Sequence, residues 1–90
     1  MALKQVLKVT SKYGLTTRAA MHIVQTLSRY KSAIRFTVGE NSADGKSMMG
    51  LVCLMAFRGA EVWVEAEGPD EEEAMAAAVK LFERKFGNSE

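Results

Sequence analysis

The chain has 90 residues, of which 48% are hydrophobic and 26% charged, with a formal net charge of +1. These values describe one soluble globular domain over 1–90, and the balance of acids and bases excludes the basic footprint of a nucleic-acid binder. The single cysteine, Cys53, excludes an internal disulfide and fits a reducing cytoplasm, and no secretion signal or transmembrane run is visible.

The first expected element is a strand over 5–10, where Leu7 and Val9 share one side. A turn at "SKYG" follows. From Thr16 or Thr17 the period changes to that of a helix, with Ala20, Ile23, Val24 and Leu27 on one face, and "RYKS" ends it. "AIRFTV", 33–38, alternates with Ile34, Phe36 and Val38 inward. "GENSADG" holds a turn and room for a very short strand, and "SMMGLVCLM" reads as a short apolar helix. "AEVWVEAEG", 60–68, is the clearest strand, with Val62, Val64 and Ala66 opposite Glu61, Trp63, Glu65 and Glu67. The clearest helix follows Gly68-Pro69. Asp70 is placed to cap it, Glu73 to complete a capping box, and Gly87 to stop it. Its apolar stripe is Met75, Val79, Phe82 and Phe86, flanked by Ala74, Ala78 and Leu81. The order is β-α-β-β-α-β-α, an α+β arrangement suited to an antiparallel sheet with helices on one side.

Chemistry-bearing residues are few. The lone histidine, His22, is expected opposite the apolar stripe of its helix, as a solvated surface residue, with no second ligand at helical spacing for a metal. Cys53 lies in an apolar run, where a buried, inert thiol is the expectation. "DEEE", 70–73, is the favourable charge of a helix N-terminus. There is no phosphate-binding glycine loop, no paired acid and base, and no sign of a cofactor.

Two features ask for more. In the short helix, Leu51 and Leu54 share one side, while Met48, Met49 and Val52 cluster about 140° away at a step of roughly 100° per residue. One side is therefore expected to pack and the other to form an exposed, adaptable contact patch. Directly before it, "DGKS" places Ser47 at or beside an N-cap, a position that suits either a capping hydroxyl or a phosphate. Lys46 stands next to it.

With these residues the whole of 5–86 resembles HPr, the small phosphocarrier of the bacterial sugar phosphotransferase system. The likeness runs from "LKVTSKYGLTTRAA" through "GKSMMGLVCLM" to "VWVEAEGPDEEEAMAAAVKLF". It implies an open-faced β-sandwich of four antiparallel strands with three helices on one face, and makes "NSAD" the third strand. The family's active-site turn is Gly, apolar, His, small, Arg, Pro. Here the positions hold Gly14, Leu15, Thr16, Thr17, Arg18 and Ala19. Thr16 thus occupies the place of the phosphoacceptor histidine and Ala19 that of the proline, while Arg18 is retained. "KSMMGLVCL" is similar to the family's regulatory serine motif, so the resemblance implies phosphorylation of Ser47 by HPr kinase/phosphorylase; Met55 departs from the small residue usual there.

A lost histidine beside a kept serine is similar to the catabolite repression HPr-like proteins. The resemblance then implies no enzyme, no cofactor and no metal. It implies a cytoplasmic regulatory protein that binds a transcriptional regulator or another phosphotransferase-system protein, but neither nucleic acid nor membrane directly. The expected partner-binding residues are Thr17, Arg18, Ala20, Met21, Lys46, Met48, Met49 and Val52. The alternative is a phosphocarrier with a non-standard acceptor such as His22. A third reading, an unrelated α/β sandwich enzyme or RNA binder, would in its RNA-binding form require aromatic residues on the sheet. Trp63 is the only aromatic on the outer face, between Glu61 and Glu65.

Overall fold

A computed structural model describes residues 2–87. Four strands, β1 (Leu3–Lys8), β2 (Ala33–Val38), β3 (Asn41–Asp44) and β4 (Glu61–Glu67), form one antiparallel sheet in the order β1-β4-β2-β3. Three helices, α1 (Thr17–Leu27), α2 (Met48–Cys53) and α3 (Glu71–Glu83), alternate with them, and a 3-10 turn, Lys85–Gly87, ends the described chain. The expected α+β order and the antiparallel sheet are both observed, with "NSAD" as β3.

The strand alternation decides which face is covered. Ile34, Phe36, Val62, Val64 and Ala66 are buried, and the helices cover them with Ala20, Ile23, Leu27, Leu51, Ala78 and Phe82. The other face is open. Lys4, Glu65, Arg35 and Asp44 stand in one row across all four strands, and Trp63 beside them keeps 51% of its surface exposed. Val38, expected inward, is half-buried near the end of β2.

β1 lies two residues earlier than the alternation of Leu7 and Val9 suggests. Its register runs from Leu3 opposite Ala66 to Lys8 opposite Glu61, which uses all of β4 but its last residue, Glu67. Val9 still exchanges hydrogen bonds with the loop before β4, its N–H donating to Ala60 O (2.9 Å) and its carbonyl accepting from Gly59 N–H (2.8 Å).

The start of α3 departs from the capping-box expectation. Asp70 makes no side-chain cap to its own helix. Its carboxylate instead accepts the N–H groups of Lys31 and Ser32, both at 2.9 Å, and the Ser32 hydroxyl at 2.5 Å. Gly68 makes this possible. At φ 151° it packs so closely on Ser32 that a Cβ would sit 2.6 Å from Ser32 Cα. The start of β2 is thereby brought to the carboxylate, and a charge-assisted trio outcompetes one cap bond. The hydrogen bond with the Ser32 hydroxyl and then that with Lys31 N–H lower the Asp70 pKa from 3.8 to about 2. Glu71, rather than Glu73, reaches back to accept Gly68 N–H at 3.0 Å.

The end of α3 also comes early. The helix stops at Glu83 instead of running to Gly87, and Lys85 and Phe86 take left-handed conformations (φ 53° and 60°) ahead of Gly87 (φ 78°). The turn drives Phe86 back into the core, with its ring edge-on to Phe82 at 4.9 Å. Burial of a large aromatic is the compensation for that backbone strain.

Candidate functional site

The turn before α1 is held from both sides. Ser11 Oγ donates to Gly14 O at 3.0 Å, and Leu15 N–H donates to Ala56 O at 2.8 Å. Gly14 has φ 74°, and a Cβ there would lie 2.5 Å from Ala56 O and 2.9 Å from Phe57 Cα. Only glycine fits both the left-handed backbone and that approach. The start of α1 is therefore fixed against the segment that follows α2.

Thr16 is the N-cap of α1. Its backbone is extended (φ −76°, ψ 172°) and its hydroxyl accepts Ala19 N–H at 3.1 Å. Thr17 and Arg18 follow in the first turn, both exposed. That turn carries no acid. A cation there opposes the positive end of the helix dipole, so Arg18 is not explained by helix stability.

α2 repeats the device. Ser47 is its N-cap (φ −111°, ψ 110°), half-buried, with its hydroxyl accepting Gly50 N–H at 3.1 Å. Beyond it Met49 is 75% exposed and Met48 39% exposed, whereas Leu51 is fully buried and Leu54 is 3% exposed. The two-sided helix read from the sequence is what folds, with one adjustment: Val52 is half-buried against the edge of the core.

Other expected residues sit differently. Ala20 has no accessible surface, because it lies on the inner stripe of α1, so it touches no partner. Lys46 is half-buried and its ammonium donates to Tyr30 O at 2.6 Å, which ties α2's approach to the end of α1. Met21 is exposed, as a contact residue requires. Cys53 is exposed rather than buried, since Leu51 and Leu54 take the inner side of α2 and Cys53, two positions after Leu51, turns away from it. His22 is half-buried rather than solvated. Its ring faces Gly87, whose Cβ would lie 3.8 Å from Nδ1 and Cε1. Periodicity located the stripe of α1 that meets the sheet but not the flank that meets α3.

Sequence reasoning missed three exposed apolar side chains around the same turn. Met55 (φ 55°) and Phe57 follow α2 on the segment that holds Gly14, and Tyr13 precedes it. The departure at Met55 was the one available signal. Among the described residues no group of His, Cys, Asp and Glu could hold a metal ion, and no helix is long and apolar enough to cross a membrane.

Residues 3–84 match the family model described as the PTS HPr component phosphorylation site. The chain is 40% identical over 88 residues to the phosphocarrier protein HPr of Neisseria meningitidis serogroup A, covering 98% of this chain and 99% of the relative. It is 33% identical to the phosphocarrier protein NPr of Escherichia coli K12, covering 96% and 97%. A crystal structure of HPr from Thermoanaerobacter tengcongensis superposes with a TM-score of 0.91 at 38% identity, over 98% of this chain and 99% of that one. Crh, the Bacillus subtilis catabolite repression containing protein, superposes with a TM-score of 0.74 at 31% identity, over 92% and 95%.

Proposed function

The chain belongs to the HPr family of the phosphotransferase system, and we propose that within it the protein is a cytoplasmic regulator rather than a phosphocarrier or an enzyme. Phosphorylation at Ser47 by an HPr kinase/phosphorylase switches it. It then binds a transcriptional regulator or another phosphotransferase-system protein through Met48, Met49, Met21, Thr17 and Arg18.

The observation that carries this reading is the pairing of a serine hydroxyl at the head of α2 with two exposed methionines directly beyond it. A phosphoryl group on Ser47 adds nearly two negative charges and three strong acceptor oxygens. They would stand beside the methionines, on a surface that adapts easily to a partner's shape. The likeness to Crh supports the regulatory side of the reading.

The carrier alternative meets two difficulties. Thr16 stands where the resemblance puts the acceptor histidine, so no imidazole is there to take up and hand on phosphate. A threonine also needs an added base to act as a nucleophile near neutral pH. His22 lies six residues further along α1, about 9 Å at 1.5 Å per residue, on the flank toward α3 and Gly87.

Enzyme I with phosphoenolpyruvate tests the exclusion. No acid-labile phosphate should appear on this protein. Phosphohistidine at His22 would replace the regulator with the carrier.

A further inference from the structure

Between α1 and α3 the structure holds a groove of about 300 Å³. That is the lower end of the range that takes small molecules. One wall carries His22, Thr26 and Arg29, at i, i+4 and i+7 along α1 and its C-terminal edge. The opposite wall carries Lys80 and Arg84, four apart on the face of α3 that meets α1, above an apolar floor of Ala77 and Leu81. Phe86 and Gly87 close the end. Arg29, Lys80, Arg84 and a histidine line it, and among the described residues no acidic side chain does.

The helix dipoles explain part of this charge, since cations are favourable at helix C-termini. They do not explain all of it. Two helix ends bring roughly half a negative charge each, against the three cationic side chains of Arg29, Lys80 and Arg84. The closing turn, in which Lys85 and Phe86 are both left-handed, brings Gly87 opposite the His22 ring and so bounds the groove at that end.

We propose that this groove binds a small phosphate monoester, its dianion held by Arg29, Lys80 and Arg84 with His22 and Thr26 as further donors. Two guanidiniums offer forked donors that match phosphate oxygens, and the ammonium supplies a point charge. The remainder of the ligand lies over Ala77 and Leu81. No residue of α2 lines the groove.

Amide spectra of the ¹⁵N-labelled protein test the proposal. The probes are glycerol 3-phosphate and inorganic phosphate, with sodium chloride at matched ionic strength as the control. A third arm is sedimentation with phosphatidylcholine vesicles containing phosphatidic acid. Saturable shifts are expected around His22, Arg29, Arg84 and Gly87. The double variant Arg29→Gln/Arg84→Gln should weaken binding by about tenfold or more, since each arginine supplies charge-assisted hydrogen bonds. Both side chains are exposed, so its melting should match the wild type. Arg35→Gln, on the open sheet face, should bind unchanged. If only the vesicles bind, and the double variant loses them, the same site holds a lipid headgroup. Shifts that sodium chloride reproduces, that survive in the double variant, or that centre on Arg18 would overturn the proposal.

Discussion

Replacing Gly14 with alanine probes the frame that fixes the start of α1 against the loop after α2. Two costs are expected. The first is the left-handed backbone at φ 74°, about 1–2 kcal/mol for a residue with a Cβ. The second is steric, since the new Cβ would lie 2.5 Å from Ala56 O. That oxygen belongs to the backbone and cannot swing aside. It must retreat, and the bond it accepts from Leu15 N–H at 2.8 Å goes with it. An unsatisfied polar group at this buried turn costs a further 1–3 kcal/mol or so. The total, about 2–5 kcal/mol, corresponds to a fall in Tm of roughly 10 °C or more for a domain of this size.

Gly39 supplies the control. It has φ 59°, and a Cβ there would meet nothing within 4 Å, so Gly39→Ala carries the backbone cost alone. Urea denaturation followed by circular dichroism measures both variants. Gly14→Ala should exceed Gly39→Ala by at least about 1 kcal/mol. Equal losses would mean that the contact between Gly14 and Ala56 does not position the turn, and the reasoning would be refuted.

Met49→Glu should change stability by less than about 0.5 kcal/mol because the side chain is exposed, while weakening partner binding by more than about 1 kcal/mol. Leu54→Ala, in the core, should cost roughly 2–5 kcal/mol; thermal melts beside a binding titration give both, and equal unfolding by the two changes would make the methionine patch core. Asp70→Asn tests the clamp on β2. A carboxylate whose pKa falls to about 2 on folding stabilises the protein above its unfolded pKa of about 4, and that contribution is lost as pH falls from about 4 toward 2. The stability gap between wild type and Asp70→Asn should therefore be constant near neutrality and close over that acidic window, and a gap independent of pH would show that the carboxylate's charge is not what holds Lys31 and Ser32.

Periodicity carried most of the fold. The alternation in β4 and the inner stripes of α1 and α3 each answer to one dominant neighbour, the sheet, so one period describes them. Residues with a second neighbour were misjudged. His22 faces α3 and Gly87 from the flank of α1, and Asp70 answers to Ser32, which is 38 residues away in sequence. The capping-box pattern was a valid local solution that a tertiary contact displaced. Phe86 was correctly expected in the apolar stripe, but it reaches the core through a left-handed turn instead of a continuing helix, and no composition rule signals that at a lysine and a phenylalanine. At the candidate site, the two-sided character of α2 was legible because Leu51 and Leu54 stand three apart. Cys53 was misplaced because its apolar neighbours were weighed above the period, which at about 100° per residue puts it beside Met49 on the outer side.

Ser47 as a phosphorylation switch and Thr16 as a cap are open to one experiment: incubation with an HPr kinase and ATP, followed by site mapping of the product by mass spectrometry. One acid-stable phosphoryl group should appear on Ser47 and be absent from Ser47→Ala. That variant should lose only about 1 kcal/mol, the value of the cap bond to Gly50 N–H, so its failure to be modified cannot be laid to unfolding. No modification of the wild type, or modification at Thr16 or another hydroxyl, would reduce Ser47 to a helix cap and contradict the account.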